Sequence, residues 1–489
     1  MLLWFVVAYI SVTIIIGLYG ATKVHNARDY IVAGRNLPFS FVLAMVFATW
    51  FGAETVLGIS ATFIDEGFRG LISDPLGASI CLVLFGLVFA RPLYRMNILT
   101  LGDYFRIRYN RGTELALSAA IIVSYLGWVG AQFAALGLIF DVLSDGQVTR
   151  DQGILIGGAV VLIYTLIGGM WSVALTTFVQ MIVIVLGLLY VTWTAGEMAG
   201  GINFVVASAA AEGKFQFLPT LDTLDILAWI AALFTMALGS IPQQDVFQRV
   251  NTAKTEKIAV WGTTLGGLSY FFFAAVPLFL VYSATIIDAD MVARMMAIDS
   301  QLVLPGLVVN YMPQIAQIIF FGALMSVIMS TASATLLAPS VMVSENIVRG
   351  FRKDMSDAQL LRSTRVCVAL FALIVTAYAF STDATIHHMV ESAYRVTLAG
   401  AFVPLAAGLF WKRANSLGAA LAIVLGIGTW LFFELFVPEG DIEPQLYGLA
   451  LSIVGMLVGG FIGPASQPRP QRPASPGHAA AATHHTPAR

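Results

Sequence analysis

The chain has little charge and almost no cysteine. Only 11% of its 489 residues are charged, and its two cysteines, Cys81 and Cys367, lie in apolar runs. A soluble domain carries about 25% charged residues, and two such cysteines indicate neither a disulfide framework nor a thiolate metal site. Hydrophobic residues instead make up 58% of the chain. The composition predicts an all-α protein that crosses a lipid bilayer many times.

Catalytic motifs are missing as well. No stretch resembles a nucleophile elbow, a phosphate-binding loop or a zinc motif. The adjacent His387 and His388 do not face one site on a helix. Residues 464–489, rich in proline, alanine and histidine but without metal-ligand spacing, predict a disordered cytoplasmic tail. We therefore expect a protein that is not an enzyme and does not bind nucleic acid.

Thirteen apolar runs are long enough to cross a bilayer, which takes about 20 helical residues. The count treats the uncharged stretch 152–196 as a helical hairpin that turns at Gly168 and Gly169. The runs cover residues 2–22, 38–63, 71–90, 115–140, 152–168, 172–196, 226–248, 258–287, 312–345, 363–382, 388–411, 414–437 and 444–463. With the N-terminus outside, most lysines and arginines fall in cytoplasmic loops, as the positive-inside rule requires. We expect a multi-pass protein of the plasma (inner) membrane with a cytoplasmic C-terminus.

Two of these runs carry helix-breaking residues near their middle. Glu54 lies between Gly52 and Gly58 in the second run, and Gly239 and Pro242 interrupt the seventh. An unwound turn inside a membrane exposes backbone carbonyls that need a partner, and a cation supplies one. Glycine in a membrane helix also serves close helix packing, which explains either break taken alone. Paired breaks in two halves favour a substrate site at the membrane midplane.

Six motifs follow one another at the ends of these runs. They are DYIVAGRNLP (29–38), TLGDYFRIRYN (100–110), YTLIGGMWS (164–172), QQDVFQRVNTAK (243–254), MSTASATLL (329–337) and GLFWKRANSLGAALAIVLG (408–426). In this order they resemble the signatures of the sodium/solute symporter family, whose members transport sugars, proline, pantothenate and short monocarboxylates. The resemblance covers nearly the whole chain.

The resemblance implies an architecture. It has thirteen transmembrane helices, an external N-terminus and a five-plus-five inverted-repeat core in which each repeat begins with a discontinuous helix. In this sequence the repeats would span 38–196 and 226–411. The first helix, 2–22, and two helices in 414–463 would be peripheral. Residues 1–463 would then form a single transmembrane domain.

The resemblance also implies a sodium site. Its ligands would be the hydroxyls of Ser330 and Thr331 and the carbonyls of Val327, Ala48 and Phe51. From the residues alone, a hydroxyl in an apolar helix would otherwise bond to a carbonyl of its own helix.

One position departs from the family pattern. Many members carry an aspartate shortly after the GGMWS motif, and this aspartate contributes to a second cation site. Thr177 stands there in this chain. We therefore expect a single coupling sodium ion.

Charged residues inside the predicted membrane region mark the candidate substrate site. Glu54 sits at the break of the second run, and Glu391 and Arg395 lie one helical turn apart in the eleventh. The resemblance places Glu391 where sugar-transporting members have a glutamine that contacts the sugar. Trp50 and Gln244 are further pocket candidates. These residues favour a charged or zwitterionic solute, such as an amino acid or a carboxylate.

Other roles for these residues stay open. Arg395 would equally well form an interhelical ion pair with Glu54 or Glu391. Asp245, at a cytoplasmic helix end, is expected to serve gating or folding. Additional candidates for the pocket are Gln243 and Tyr394.

Together these features predict secondary active transport. A sodium ion would move inward and carry a small organic solute with it by alternating access. The expected partners are sodium, the solute and the lipid bilayer, and the protein is expected to work as a monomer. Two alternatives stay open: a transporter-like sensor with a separate signalling partner, and a proton-coupled symporter in which Glu54 or Glu391 titrates.

Overall fold

The computed structural model of the chain describes residues 2–352, 354–382, 384–437 and 440–464. These residues form helices joined by short connections, and the one pairing of extended backbone among them is an isolated bridge between Leu37 and Ala253. The prediction of an all-α protein is confirmed. The predicted tail, except for Pro464, lies outside the described residues.

The helices follow in chain order. The first half contains α1 (Leu2–Ala21), α2 (Ala27–Val32), α3 (Phe39–Trp50), α4 (Ile59–Glu66), α5 (Ala78–Leu84), α6 (Ala90–Arg95), α7 (Leu101–Arg108), α8 (Arg111–Leu143), α9 (Arg150–Met198) and α10 (Ile202–Ala211). The second half contains α11 (Thr223–Ala237), α12 (Gln244–Thr252), α13 (Glu256–Phe273), α14 (Ala275–Ile287), α15 (Ala289–Ile298), α16 (Val303–Tyr311), α17 (Gln314–Met342), α18 (Arg349–Phe351), α19 (Asp357–Ser381), α20 (Ile386–Gly400), α21 (Phe402–Phe410), α22 (Ser416–Phe436) and α23 (Pro444–Ile462). Segments of π-helix occupy Glu54–Gly58, Ile72–Gly77, Phe85–Phe89 and Val343–Val348.

Nine helical runs within the described ranges are long and apolar enough to cross a membrane, or ten if α20 and α21, which meet at 47°, form one span. Two of these runs, Glu54–Arg95 and Arg150–Met198, have 42 and 49 residues. Each is about twice as long as one crossing needs. Asp74 interrupts the helical backbone of the first, and Gly169 interrupts the second where the sequence predicts a turn. The count of thirteen crossings and the two-repeat layout stay predictions.

The second predicted run is broken at its middle. α3 ends at Trp50, Phe51 leaves the helical backbone with φ −82° and ψ 76°, and the π-helix begins at Glu54. Gly52 lies between them, and a Cβ atom there would overlap the Glu54 carboxylate in its present position. The break therefore places Glu54 directly beside the end of α3.

The predicted break near Gly239 is also present. α11 ends at Ala237 and α12 begins at Gln244. The Thr397 hydroxyl of α20 donates to the Gly239 carbonyl at 2.7 Å. A Cβ atom on Gly239 would lie 2.6 Å from the Tyr394 carbonyl oxygen. Only glycine lets the broken helix approach α20 this closely.

α17 is the central helix of the molecule. Almost all of its residues between Phe320 and Met342 are buried, and it packs against α1, α3, α8, α9, α12 and α19. The pair α22 and α23 lies further out. These two helices approach each other closely at Gly418, Gly455 and Gly459, as small residues allow in membrane helices. The core that positions the site is therefore built around α17.

Candidate functional site

The last turn of α3 meets the middle of α17 through hydroxyl groups. The Ser330 hydroxyl is shared between the Ala48 carbonyl, at 2.8 Å, and the Val327 carbonyl, at 2.9 Å. The Thr331 hydroxyl donates to the Ala48 carbonyl at 3.4 Å. All four residues are buried. Phe51, the remaining predicted ligand, is buried at the end of α3.

This arrangement provides neutral oxygen atoms at a buried site. The Ser330 hydroxyl bonds to the Val327 carbonyl of its own helix and also to the Ala48 carbonyl of α3. It therefore contacts the broken span as well as its own helix. The Ala48 carbonyl lies in the last turn of α3, next to the break, and backbone carbonyls at such interrupted helices coordinate sodium in transporters. The donor set therefore fits a small alkali ion that is bound and released as cargo.

Thr177 lies in the buried face of α9. Its hydroxyl has no hydrogen-bond partner among the described residues. A hydroxyl carries no formal charge, so this position does not supply the carboxylate that a second cation site would use.

Four aromatic side chains form a buried group, the aromatic cluster: Trp50, Tyr125, Trp128 and Tyr394. Trp50 contacts Trp128 edge-on, with ring centroids 5.5 Å apart, and stacks on Tyr394 at 6.1 Å. Trp128 contacts Tyr394 edge-on at 5.6 Å and stacks on Tyr125 at 6.1 Å. Each of the four side chains is at most 3% exposed. The cluster joins α3, α8 and α20 beside the break of the second run.

Each tryptophan of the cluster also holds a carboxylate. The Trp128 indole N–H donates to Glu54 at 3.1 Å, and the Gln132 amide donates to the other Glu54 oxygen at 2.7 Å. The Trp50 indole N–H donates to Asp245 at 3.2 Å. Both acids are buried, and neither forms an ion pair with a Lys or Arg among the described residues. The cluster is therefore flanked by two buried acidic side chains.

Asp245 contacts the aromatic cluster, although its position at a helix end predicts a role in gating or folding. The Tyr125 hydroxyl donates to one Asp245 carboxylate oxygen at 2.6 Å, and the Asp245 backbone N–H donates to the same Tyr125 oxygen at 2.8 Å. Arg249, one turn later, donates to the Asp245 main-chain carbonyl at 3.1 Å. The carboxylate thus faces the aromatic cluster and not the guanidinium.

A third buried carboxylate, Asp74, lies near Glu54. The Tyr270 hydroxyl donates to Asp74, and the Thr55 hydroxyl is hydrogen-bonded to Tyr270 at 3.1 Å. Sequence reasoning missed Asp74. The sequence does contain a signal for Asp74, namely a carboxylate inside the apolar run 71–90. It is as unusual there as Glu54 is in the run 38–63.

The remaining predicted substrate residues lie elsewhere. Arg395 points to Glu434, at 3.6 Å, and Glu443, at 3.8 Å. The alternative of an ion pair with Glu54 or Glu391, which the sequence left open, is therefore wrong. Successive helical residues point about 100° apart, so Arg395 faces α22 while its neighbour Tyr394 faces the cluster.

Glu391 and Gln244 have other neighbours. The Glu391 carboxylate lies 4.0 Å from the His387 ring. Gln244 accepts from the Leu101 N–H at 2.9 Å and donates to the Leu99 carbonyl at 3.3 Å, which fixes the start of α7. The structure therefore brings Trp50 together with Glu54 and leaves Glu391, Arg395 and Gln244 outside that group.

Interrupted membrane helices with a buried polar site at the break are typical of secondary transporters. The chain belongs to the sodium:solute symporter family, whose model matches residues 30–426. The family resemblance is thereby confirmed. Members of this family and the relatives below are transporters, which confirms the expectation that the protein is not an enzyme. The family couples a small solute to sodium, and the chain is a multi-pass membrane protein.

Several characterised proteins are similar to the chain. The human high affinity choline transporter 1 is 27% identical over 464 residues, which cover 90% of this chain and 77% of that protein. The osmoregulated proline transporter of Bacillus subtilis is 26% identical over 479 residues, 92% of each chain. The monocarboxylic acid transporter of Corynebacterium glutamicum is 25% identical over 474 residues, 88% of this chain and 83% of that protein.

A solved structure shares the fold. The substrate-bound, outward-open structure of a Na+-coupled sialic acid symporter matches with a TM-score of 0.82 and 17% identity. The match covers 95% of this chain and 98% of that one. The architecture is therefore that of a known transporter fold.

Proposed function

We propose that the protein is a sodium-coupled symporter that imports a small organic cation with a quaternary ammonium head group. The observation that carries this proposal is the aromatic cluster, with Glu54 and Asp245 held by its two indole N–H groups. The head group would lie among the four rings. The human relative named for choline supports the same class of solute.

The chemistry of the site favours a cation. A quaternary ammonium has no N–H group, so it binds through the negative faces of aromatic rings, an attraction of about 2 kcal/mol when desolvated. A cation bound beside the carboxyl groups of Glu54 and Asp245 would be attracted to them, because charges interact strongly away from water. A solute carboxylate would find no such attraction there. We therefore narrow the expected solute class from any charged or zwitterionic molecule to one with a cationic head.

The rings of the cluster contact one another, so a head group enters only when they separate. Trp50 is the last residue of α3, next to the break at Phe51 and Gly52. A small rotation about this break would move the Trp50 ring away from Trp128 and Tyr394. We propose that this motion opens and closes the binding site.

Sodium would act on the same turn of helix. The proposed ligands are the Ala48, Phe51 and Val327 carbonyls and the Ser330 and Thr331 hydroxyls. Ala48 is two residues from Trp50, so an ion between α3 and α17 would fix the position of Trp50. Sodium and the cation would then each bind better in the presence of the other, which is the thermodynamic requirement for coupling.

The proposal includes the remaining sequence predictions. We propose an external N-terminus, a cytoplasmic C-terminus and two inverted repeats at 38–196 and 226–411 in one domain. We also propose that the protein functions as a monomer in the plasma membrane. The distribution of lysine and arginine along the loops supports this orientation.

Uptake in proteoliposomes tests the proposal. Purified protein should take up radiolabelled choline when sodium is higher outside, and Trp50→Ala should weaken choline binding about 30-fold by removing a cation–π contact. Trp193→Ala is the matched control, because Trp193 is 62% exposed on α9 and should leave affinity unchanged. Sodium-driven uptake of an amino acid or a monocarboxylate, with no binding of any quaternary ammonium, would reject the proposal.

A further inference from the structure

Asp74 is a buried carboxylate that takes no part in the aromatic cluster or in the proposed sodium site. It is 2% exposed, and its backbone, with φ −134° and ψ 124°, interrupts the helical run just before Pro75. One carboxylate oxygen accepts from Tyr270, and the other, Oδ2, has no hydrogen-bond partner among the described residues. No Lys, Arg or His of the described residues forms an ion pair with it.

An unpartnered carboxylate oxygen inside a membrane protein destabilises the fold. Such residues are usually retained because a substrate or ion meets them. Tyr270 donates to Oδ1, whereas Oδ2 has no hydrogen-bond partner among the described residues and is free to accept one. The geometry at Asp74 therefore points to a donor that arrives with the substrate.

Hydrogen bonds connect Asp74 to the cluster. The Tyr270 hydroxyl that donates to Asp74 is bonded to the Thr55 hydroxyl at 3.1 Å, and Thr55 lies 3.3 Å from the Trp50 carbonyl oxygen. Thr55 also follows Glu54, which is bonded to Trp128. Asp74 is thus linked through the side chains of Tyr270 and Thr55 to the main chain of Trp50, the first ring of the cluster.

We propose that Asp74 Oδ2 accepts a hydrogen bond from a hydroxyl or N–H group on the tail of the cation whose head occupies the aromatic cluster. This inference rests on the proposed function and narrows it. The solute class becomes a quaternary ammonium with a donor at its other end. A tail that ends in a carboxylate is excluded, because it would bury a second negative charge against Asp74.

A set of compounds with one head group tests the inference. Choline has a hydroxyl tail, propyltrimethylammonium has a methyl group in its place, glycine betaine has a carboxylate and (2-aminoethyl)trimethylammonium has an amine. Binding is measured by thermal-shift titration of the purified protein in sodium. We expect choline to bind about 10- to 100-fold more tightly than propyltrimethylammonium, the range for a hydrogen bond to a charged group. Glycine betaine should not bind, and the amine, which carries an N–H donor, should bind more tightly than propyltrimethylammonium.

Asp74→Asn keeps the size of the side chain and removes its charge. The variant should bind propyltrimethylammonium as the wild type does, lose most of the preference for choline and begin to accept glycine betaine. Ser79→Ala is the matched control, since Ser79 is a buried polar residue five positions further along the same run. It should keep the wild-type order of affinities.

The outcomes separate the two proposals. Equal wild-type affinity for choline and propyltrimethylammonium, or tight binding of glycine betaine, overturns the role of Asp74 and leaves the proposed function standing. Binding of none of the four compounds rejects the proposed function together with this inference. If Asp74→Asn fails to fold, the wild-type series alone still decides, because it measures the discrimination directly.

Discussion

At the scale of single residues, each tryptophan of the aromatic cluster does two things. Its ring packs against the other rings, and its N–H group orients a buried carboxylate: Asp245 for Trp50 and Glu54 for Trp128. Phenylalanine would replace the ring but remove one donor from each acid, leaving Tyr125 on Asp245 and Gln132 on Glu54. The two tryptophans therefore help to position the acids beside the cluster.

Removal of the hydroxyls between α3 and α17 tests the proposed sodium site. Ser330→Ala combined with Thr331→Ala should abolish sodium-stimulated uptake, because the remaining carbonyls form an incomplete ligand set. The readout is choline uptake in proteoliposomes over a range of sodium concentrations. Ser340→Ala is the control, since this hydroxyl bonds to Leu336 of its own helix. Retention of normal sodium dependence in the double variant would place the ion elsewhere.

Arg395 should matter little for binding. It forms ion pairs with Glu434 and Glu443, whose side chains are 36% and 43% exposed. Such pairs contribute about 0–1 kcal/mol. Arg395→Gln should therefore leave solute affinity within about twofold of wild type, because the Arg395 side chain pairs with Glu434 and Glu443 and not with the cluster.

The Arg395 measurement pairs a binding titration with a thermal melt in detergent. Glu434→Gln serves as the matched partner variant and should produce a similar small fall in melting temperature. A tenfold or greater loss of affinity in Arg395→Gln, with an unchanged melting temperature, would return this residue to the substrate site.

At the scale of elements, the break in the second run is the feature on which binding depends. It ends α3 at Trp50 and places Glu54 next to the cluster, so one backbone irregularity positions both the ring and the acid. The same turn contains Ala48, which bonds to α17. Changes at the break should therefore affect solute and sodium together.

Gly52→Ala tests this dependence. The added Cβ would overlap the Glu54 carboxylate, which is the flexible end of a side chain and should move away. The protein should fold, but Glu54 would lose its bonds to Trp128 and Gln132, and choline affinity should fall at least about tenfold. Gly322→Ala in α17 is the control, because a Cβ there meets nothing within 4 Å. Unchanged choline affinity in Gly52→Ala would show that Glu54 is not required.

At the scale of the whole molecule, one sodium ion is sufficient to drive accumulation. An inward sodium ion gains about 2.3 kcal/mol from 100 mV of membrane potential and about 1.4 kcal/mol from a tenfold gradient. Together these sustain roughly a 500-fold gradient of an uncharged solute. A cationic solute gains further from the membrane potential.

The proposed single-ion coupling predicts a Hill coefficient for sodium of about one. The physical reason is that Thr177 offers a neutral hydroxyl in place of an aspartate. The coefficient is obtained from initial uptake rates at varied sodium and fixed choline. A value close to two would indicate a second ion site that uses other ligands.

Local sequence determined several features of the molecule. The length of the apolar runs predicts a membrane protein. Gly52, Gly239 and Pro242 predict the positions of both helix breaks, and both breaks are present. These properties depend on a few neighbouring residues, because hydropathy and backbone freedom are local. The family motifs gave Ser330 and Thr331 as partners of α3, and the structure brings these residues together.

Tertiary structure alone decided the chemistry of the site. The aromatic cluster takes its members from α3, α8 and α20, and which rings meet depends on how these helices pack. Arg395 was a candidate for the substrate site because a charged residue in a membrane helix is unusual. Charge and helical spacing do not show which way a side chain faces, and in the structure Arg395 faces Glu434. The environment of Asp74 likewise depends on a hydrogen bond from Tyr270, a residue distant in sequence. A sequence encodes which groups are costly to bury, and only the packed helices determine what those groups meet.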